Sequence, residues 1–172
     1  MRCSAALLAG LCLLANPAAA DPQFGHPASP EEIAAEDIDV RADGVGLPPG
    51  SGSVAQGEAV YAAACAACHG VQGQKPIAGA LRLTGGQGTL ATPGAIATVG
   101  SYWPYATTLF DYVRRAMPFN APQSLTPDQV YAVSAYVLHL NGIVPDGAVL
   151  DAGTLPQVVM PNRNGFVPVY RP

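Results

Sequence analysis

The feature that most constrains this chain is the run Cys65-Ala66-Ala67-Cys68-His69. Two cysteines separated by two residues and followed at once by histidine form the attachment pattern for a c-type haem. Each thiol adds to one vinyl group of the porphyrin, and two intervening residues let one short helical turn span both attachment points. His69 is then carried under the iron as the proximal ligand. The small side chains of Ala66 and Ala67 let the backbone lie close to the macrocycle edge. Other uses of the pair fit less well. Zinc takes four ligands, usually with a second such pair, and the sequence has none. A thioredoxin-like redox motif belongs beside a βαβ pattern, whereas these surroundings are rich in Ala, Gly and Pro. One motif implies one covalently attached haem c.

Residues 1–20 read as a secretory signal peptide. Arg2 supplies the positive end, Ala5 to Ala15 an apolar run, and Ala18-Ala19-Ala20 a small-residue cleavage site before Asp21. The run is too short to cross a bilayer as a helix, and no membrane span is expected after the signal is removed. Cys3 and Cys12 leave with it, so no thiol remains for a structural disulfide. Haem attachment to an exported chain points to the periplasm. The formal charge of -4 moves to -5 without Arg2, and Lys75 is the only lysine. No nucleic-acid partner is expected, because that would leave a basic footprint. Nor is there a lysine ring to steer partners by charge, so recognition should rest on shape and apolar contact.

Residues 21–53 form a leader. Ser29 caps a helical turn with Pro30 at its first position, and Glu32 closes a capping box. Leu47-Pro48-Pro49-Gly50-Ser51-Gly52-Ser53 is a breaker-rich loop. Ile38, Val40, Val45 and Leu47 suggest that the leader packs, the alternative being a disordered spacer. A helix begins near Val54 and runs through Tyr61 into the haem motif, with Gly57 and Tyr61 on one face. Gly57 leaves room for another helix to cross closely. Thr126-Pro127-Asp128-Gln129 starts a last helix, with an apolar stripe of Val130, Val133, Ala135, Tyr136, Val137 and Leu140 and a stop at Asn141-Gly142. Residues 70–100 are glycine-rich and should wrap the haem as loops. A third helix runs from about Pro104 through Arg115, with Leu109, Tyr112, Val113 and Ala116 facing inward.

A helix leading into the haem motif and crossed by a last helix resembles the core of class I cytochromes c. That resemblance implies an all-α fold, with a cytochrome c domain over residues 54–142 and extended N- and C-terminal segments. It also implies that Met117, after the third helix and before Pro118, is the distal axial ligand opposite His69. Met/His ligation raises the reduction potential, because the soft thioether favours reduced iron. Met160, also followed by proline, could compete on paper; its place beyond the last helix favours Met117. Pro76 is the candidate to present a carbonyl to the free ring nitrogen of His69. Trp103, with Tyr102 and Tyr105, suits a haem-lining role with a polar tip toward a propionate, or ordinary aromatic core. Arg114 is a candidate to neutralise a propionate, and of the pair Arg114-Arg115 one should face solvent or a partner.

A closer resemblance lies in the run from Gly100 to Pro122, which contains Tyr102-Trp103-Pro104-Tyr105 and Arg114-Arg115-Ala116-Met117-Pro118-Phe119. It extends through Gln123-Ser124-Leu125-Thr126, Leu140-Asn141-Gly142-Ile143-Val144, Met160-Pro161-Asn162-Arg163, and the leader runs Asp37–Arg41 and Leu47–Gly50. This pattern resembles the haem c subunits that partner molybdenum sulfite and sulfane dehydrogenases, the SorB and SoxD type. It implies a single-electron acceptor for a molybdopterin catalytic subunit, passing electrons to another cytochrome or an oxidase. The chain would then be an electron-transfer subunit with no catalytic residues of its own. Its single motif departs from the two-haem sulfane subunit and favours a one-haem, sulfite-type relative. The alternative is a free-standing soluble carrier for another dehydrogenase or a terminal oxidase. The extension over residues 143–172 carries Leu155, Val158, Val159, Phe166, Val167 and Val169, an apolar series that should not all lie in water. It either wraps its own domain or docks a partner subunit.

Overall fold

Thr126 starts the helix around which the chain is built. In the computed structural model its Oγ1 accepts the Gln129 N–H at 3.3 Å, and Gln129 Oε1 accepts the Thr126 N–H at 2.9 Å. The described residues are 24–167 and 169, apart from 75 and 78, so the expected signal peptide and Lys75 lie outside them. The chain divides into two compact units at Ala35/Glu36. The first holds most of helix α1 (Pro30–Glu36), whose capping box between Ser29 and Glu32 forms as the sequence suggests.

In the second unit the elements run β1 (Ser51–Ser53), α2 (Val54–Ala64), α3 (Ala66–His69), α4 (Ala106–Ala116), α5 (Pro127–Leu140) and β2 (Val149–Asp151). A 3-10 turn follows at Leu155–Gln157. No helix among the described residues is long and apolar enough to cross a membrane. The expected apolar stripe of α5 is broader than the sequence suggested: every residue from Val130 to Leu138 is buried. The reason is that α2, α4, β1 and β2 all pack on it, and a helix covered on all sides cannot show a solvent face.

Two glycines make the closest of these contacts possible. A Cβ on Gly57 would lie inside the Ala132 carbonyl group and 2.8 Å from Tyr136 Cβ; one on Gly52 would run into the Ala132 backbone. β1 and α2 therefore lie on α5 at near-backbone distance. A second capping box, Ser53 with Gln56, starts α2 at the required place. Around this crossing Phe110 meets Tyr131 at 4.5 Å between ring centres and Tyr61 meets Tyr136 at 5.3 Å. The Tyr131 hydroxyl donates to Pro48 O at 2.9 Å, and the Tyr61 hydroxyl donates to Gly70 O at 2.8 Å.

Helix α4 starts at Ala106 and not at Pro104, because Tyr105 is extended (φ -136°, ψ 136°). Its inward face is also rotated from expectation. Ala106, Leu109 and Phe110 enter the core, while Tyr112 is turned outward and packs edge-on against Trp103 at 5.8 Å. Thr107 and Asp111, polar residues that a periodicity argument assigns to solvent, are buried as well. The C-terminal extension sorts its apolar series by position. β2 pairs antiparallel with β1, Gly52 opposite Leu150, and Leu150, Leu155 and Met160 join the core. Val159, Phe166, Val167 and Val169 point outward.

Two outcomes follow from this packing. Gly57→Ala should cost about 3 kcal/mol, the range of overpacking against backbone, seen as a lower urea midpoint. The exposed Ala62→Gly should cost only about 1 kcal/mol. The second concerns alkali. Burial pushes the Tyr61 and Tyr131 phenols from 10.0 up to about 12. Their raised values favour the fold fully below pH 10, and that contribution is lost as pH rises toward 12. Phenolate absorbance should therefore show these two titrating late, together with alkaline unfolding, and Tyr131→Phe should remove one late step.

Candidate haem site

Helix α2 delivers the motif directly. Cys65 ends it, donating its N–H to Tyr61 O at 2.9 Å, and its own carbonyl then accepts the Cys68 and His69 N–H groups at 3.1 and 2.9 Å. Those bonds wind α3 as a single turn that sets Cys65, Cys68 and His69 on consecutive positions of a tight helix. Gly70, at φ 78°, ends the turn. Both thiols are free. Burial, and next the neighbouring Cys68, push the Cys65 thiol up to about 11. Among the described residues no group of three or more His, Cys, Asp and Glu side chains could hold a metal ion, so the tetrahedral set that zinc requires is not assembled.

The His69 ring is oriented by a backbone carbonyl. Nδ1 lies 2.8 Å from Leu81 O. A carbonyl can only accept, so Nδ1 carries the proton and Nε2 keeps its lone pair for a metal. Pro76, expected in this role, is exposed and its place is taken by Leu81. The chain loops out after Gly70 and returns, with Ile77 N–H on Cys68 O at 2.7 Å and Leu83 N–H on Gly73 O at 2.8 Å. That return brings Leu81 beside the motif. The only sequence signal for it was the apolar alternation Leu81-Arg82-Leu83 before Gly85-Gly86.

The returning segment is pinned to the end of α5 by Asn141. Its Oδ1 accepts the Gly85 N–H at 3.1 Å, and its Nδ2 donates to Leu83 O at 3.2 Å and Val137 O at 2.9 Å. Asn141 was read only as a helix stop. Thr98 Oγ1 adds a bond to Gly85 O at 2.6 Å. Met117 stands at the C-cap of α4, partly buried, with its N–H on Val113 O at 3.1 Å. Trp103 is partly buried against Tyr112. Arg114 donates Nη1 to Ile38 O at 3.2 Å, so its guanidinium is turned to the leader. Met160 is buried in the core beyond α5.

The cytochrome c family profile matches residues 54–141, about half the chain. That span begins at the first residue of α2 and ends at Asn141. This chain is a cytochrome c. Among solved structures it is similar to the sulfane dehydrogenase SoxCD from Paracoccus pantotrophus, at 48% identity and a TM-score of 0.78. The match covers 84% of this chain and 71% of that one. No curated protein sequence matches it.

The family implies a covalently attached haem c, and this cytochrome's residues fit one. Two thiols and a histidine with a free Nε2 share one helical turn. Leu81, whose carbonyl meets His69, and Phe119, two residues after Met117, are 78% and 86% exposed, which suits an apolar group lying against them. Arg82 Nε is buried with no partner among the described residues, a donor suited to a carboxylate such as a haem propionate.

Asn141→Ala should leave the Gly85 N–H and the Leu83 carbonyl unpaired and cost about 2 kcal/mol. Loosening the segment that holds Leu81 should also weaken its grip on His69, make the imidazole a poorer donor and raise the midpoint potential. Potentiometry and urea melts on the haem-loaded protein check both. A potential equal to the parent's would show that Asn141 serves the fold and not the ligand.

Proposed function

We propose that this cytochrome c is exported and accepts single electrons from the molybdenum catalytic subunit of a sulfur-compound dehydrogenase, passing them to another cytochrome or an oxidase. The observation that carries this is the 48% identity to a sulfane dehydrogenase, sustained over 84% of the chain and so including leader and tail. A cytochrome that shared only its haem domain with that protein would match over a shorter span.

In this reading Cys65 and Cys68 would hold the porphyrin by thioethers, and His69 and Met117 would supply the two protein ligands to the iron. The bound haem supplies a one-electron iron couple. The chain's own residues decide how that couple behaves. Leu81 O holds the His69 imidazole in one tautomer and one orientation. With the Met117 thioether as a second protein ligand, the iron would transfer electrons and not bind substrate. Arg82 offsets carboxylate charge, and Leu81 and Phe119 offer apolar surface to the macrocycle. Export rests on the signal-peptide pattern of residues 1–20 and on the chemistry of haem attachment.

The test uses protein isolated gently from the periplasm with whatever co-purifies. Sulfite, and separately a sulfane-sulfur compound, is added while the visible spectrum is followed. Prompt reduction by either, lost when the co-purifying molybdenum protein is removed, is the expected result, and the substrate that works names the class. No reduction by either, with ascorbate still reducing the haem, would leave a free-standing carrier and end the sulfur assignment.

A further inference from the structure

Helix α4 has a second occupied face, turned to residues 38–42 of the leader. Asp111, almost wholly buried, accepts the Val40 N–H on Oδ1 at 2.9 Å and pairs through Oδ2 with Arg115. Arg115 reaches on with Nη1 to Asp39 Oδ1 at 2.8 Å. Arg114 Nη1 donates to Ile38 O at 3.2 Å, and the buried Thr107 hydroxyl donates to Ala42 O at 3.3 Å. Residues 38–42 of the leader are thus tied to three successive turns of the helix that ends at Met117.

We propose that this leader segment is a clip that positions Met117 on the iron, so the leader is part of the haem site and not a spacer. The proposal rests on reading Met117 as the distal ligand. Three observations support it. A buried carboxylate held by a backbone N–H and a guanidinium forms charge-assisted bonds, which are stronger and more directional than neutral ones. Arg114 and Arg115 lie in the last turn, where helices otherwise fray, and their charge also suits the negative end of the helix dipole. Met117 follows Arg115 by two residues, and its own N–H closes on Val113 O. Fixing that turn from outside fixes the backbone that carries the sulfur. A ligand held in place binds as though at high effective concentration, and freeing it lets an external ligand compete.

The test is imidazole binding to the ferric, haem-loaded protein, comparing the parent with an Arg114→Met/Arg115→Met double variant. Methionine keeps the stem and the helix propensity while removing both guanidinium groups. Haem content and helical circular dichroism should match the parent. Imidazole should bind about tenfold more tightly, in proportion to the larger fraction of iron freed from sulfur, and the sulfur-to-iron charge-transfer band should weaken. In a Met117→Ala background the same double variant should leave imidazole affinity unchanged. If the double variant fails to fold, Asp39→Asn, which breaks one exposed link of the clip, should raise affinity in the same direction by less.

Unchanged imidazole affinity in a folded, haem-loaded clip variant overturns the proposal, even if the variant is less stable. A rise that persists without Met117 also overturns it, since the clip would then govern access and not the sulfur. Should Met117→Ala alone leave the band and the affinity of the parent unaltered, the ligand reading has failed, a result distinct from either of these.

Discussion

The contact on which the rest depends is the crossing of β1 and α2 over α5 at Ala132. Gly52 and Gly57 bring no side chain there, so backbone meets backbone. Dispersion and exclusion of water act at full strength across so short a gap. α2 is thereby fixed, and because the haem motif begins at the residue that caps α2, its orientation is fixed too. The aromatic pairs Tyr61–Tyr136 and Phe110–Tyr131 fill the space on either side. Their hydroxyls reach loop carbonyls at Gly70 and Pro48, which ties irregular chain to the helical centre.

The haem loops have a different source of order. Among the described residues of 70–100 there is no helix or strand, and their backbone groups find partners one at a time. His69 holds Leu81, Asn141 holds Leu83 and Gly85, Thr84 holds Gln72, and Thr98 holds Gly85. Each buried polar group in such a segment must be satisfied individually. A few side chains, Asn141 foremost, therefore carry an organisation that a ladder would otherwise distribute. His69 is placed by this web, Met117 by the end of α4, and only α5 is common to both.

The leader from Glu36 onward and the described part of the tail belong to the second unit. The leader supplies β1 and the segment along α4; the tail returns as β2 and sends Leu155 and Met160 into the core. The tail's apolar residues divide by neighbour. Met160 is buried while adjacent Val159 is 78% exposed, because an extended chain lying on a surface presents alternate residues to opposite sides.

Much of this was legible in the residues because the signals were local. The attachment motif needs five consecutive positions, the caps at Ser29 and Thr126 need four each, and Gly57 can serve a close crossing only because it lacks a Cβ. What could not be read depended on partners distant in the chain. The acceptor for His69 is Leu81 and not Pro76, since a looping segment's return is set by bonds to Gly73 and Asn141. Tyr112 faces outward and Asp111 inward because a leader residue, Val40, brings an N–H to that carboxylate. Arg114 turns to Ile38 for the same reason. Local chemistry determined the attachment motif and the helices that flank it. Tertiary packing alone decided which carbonyl, carboxylate and guanidinium find each other, because satisfying buried polar groups is a condition on the whole fold and no short stretch of sequence contains both partners.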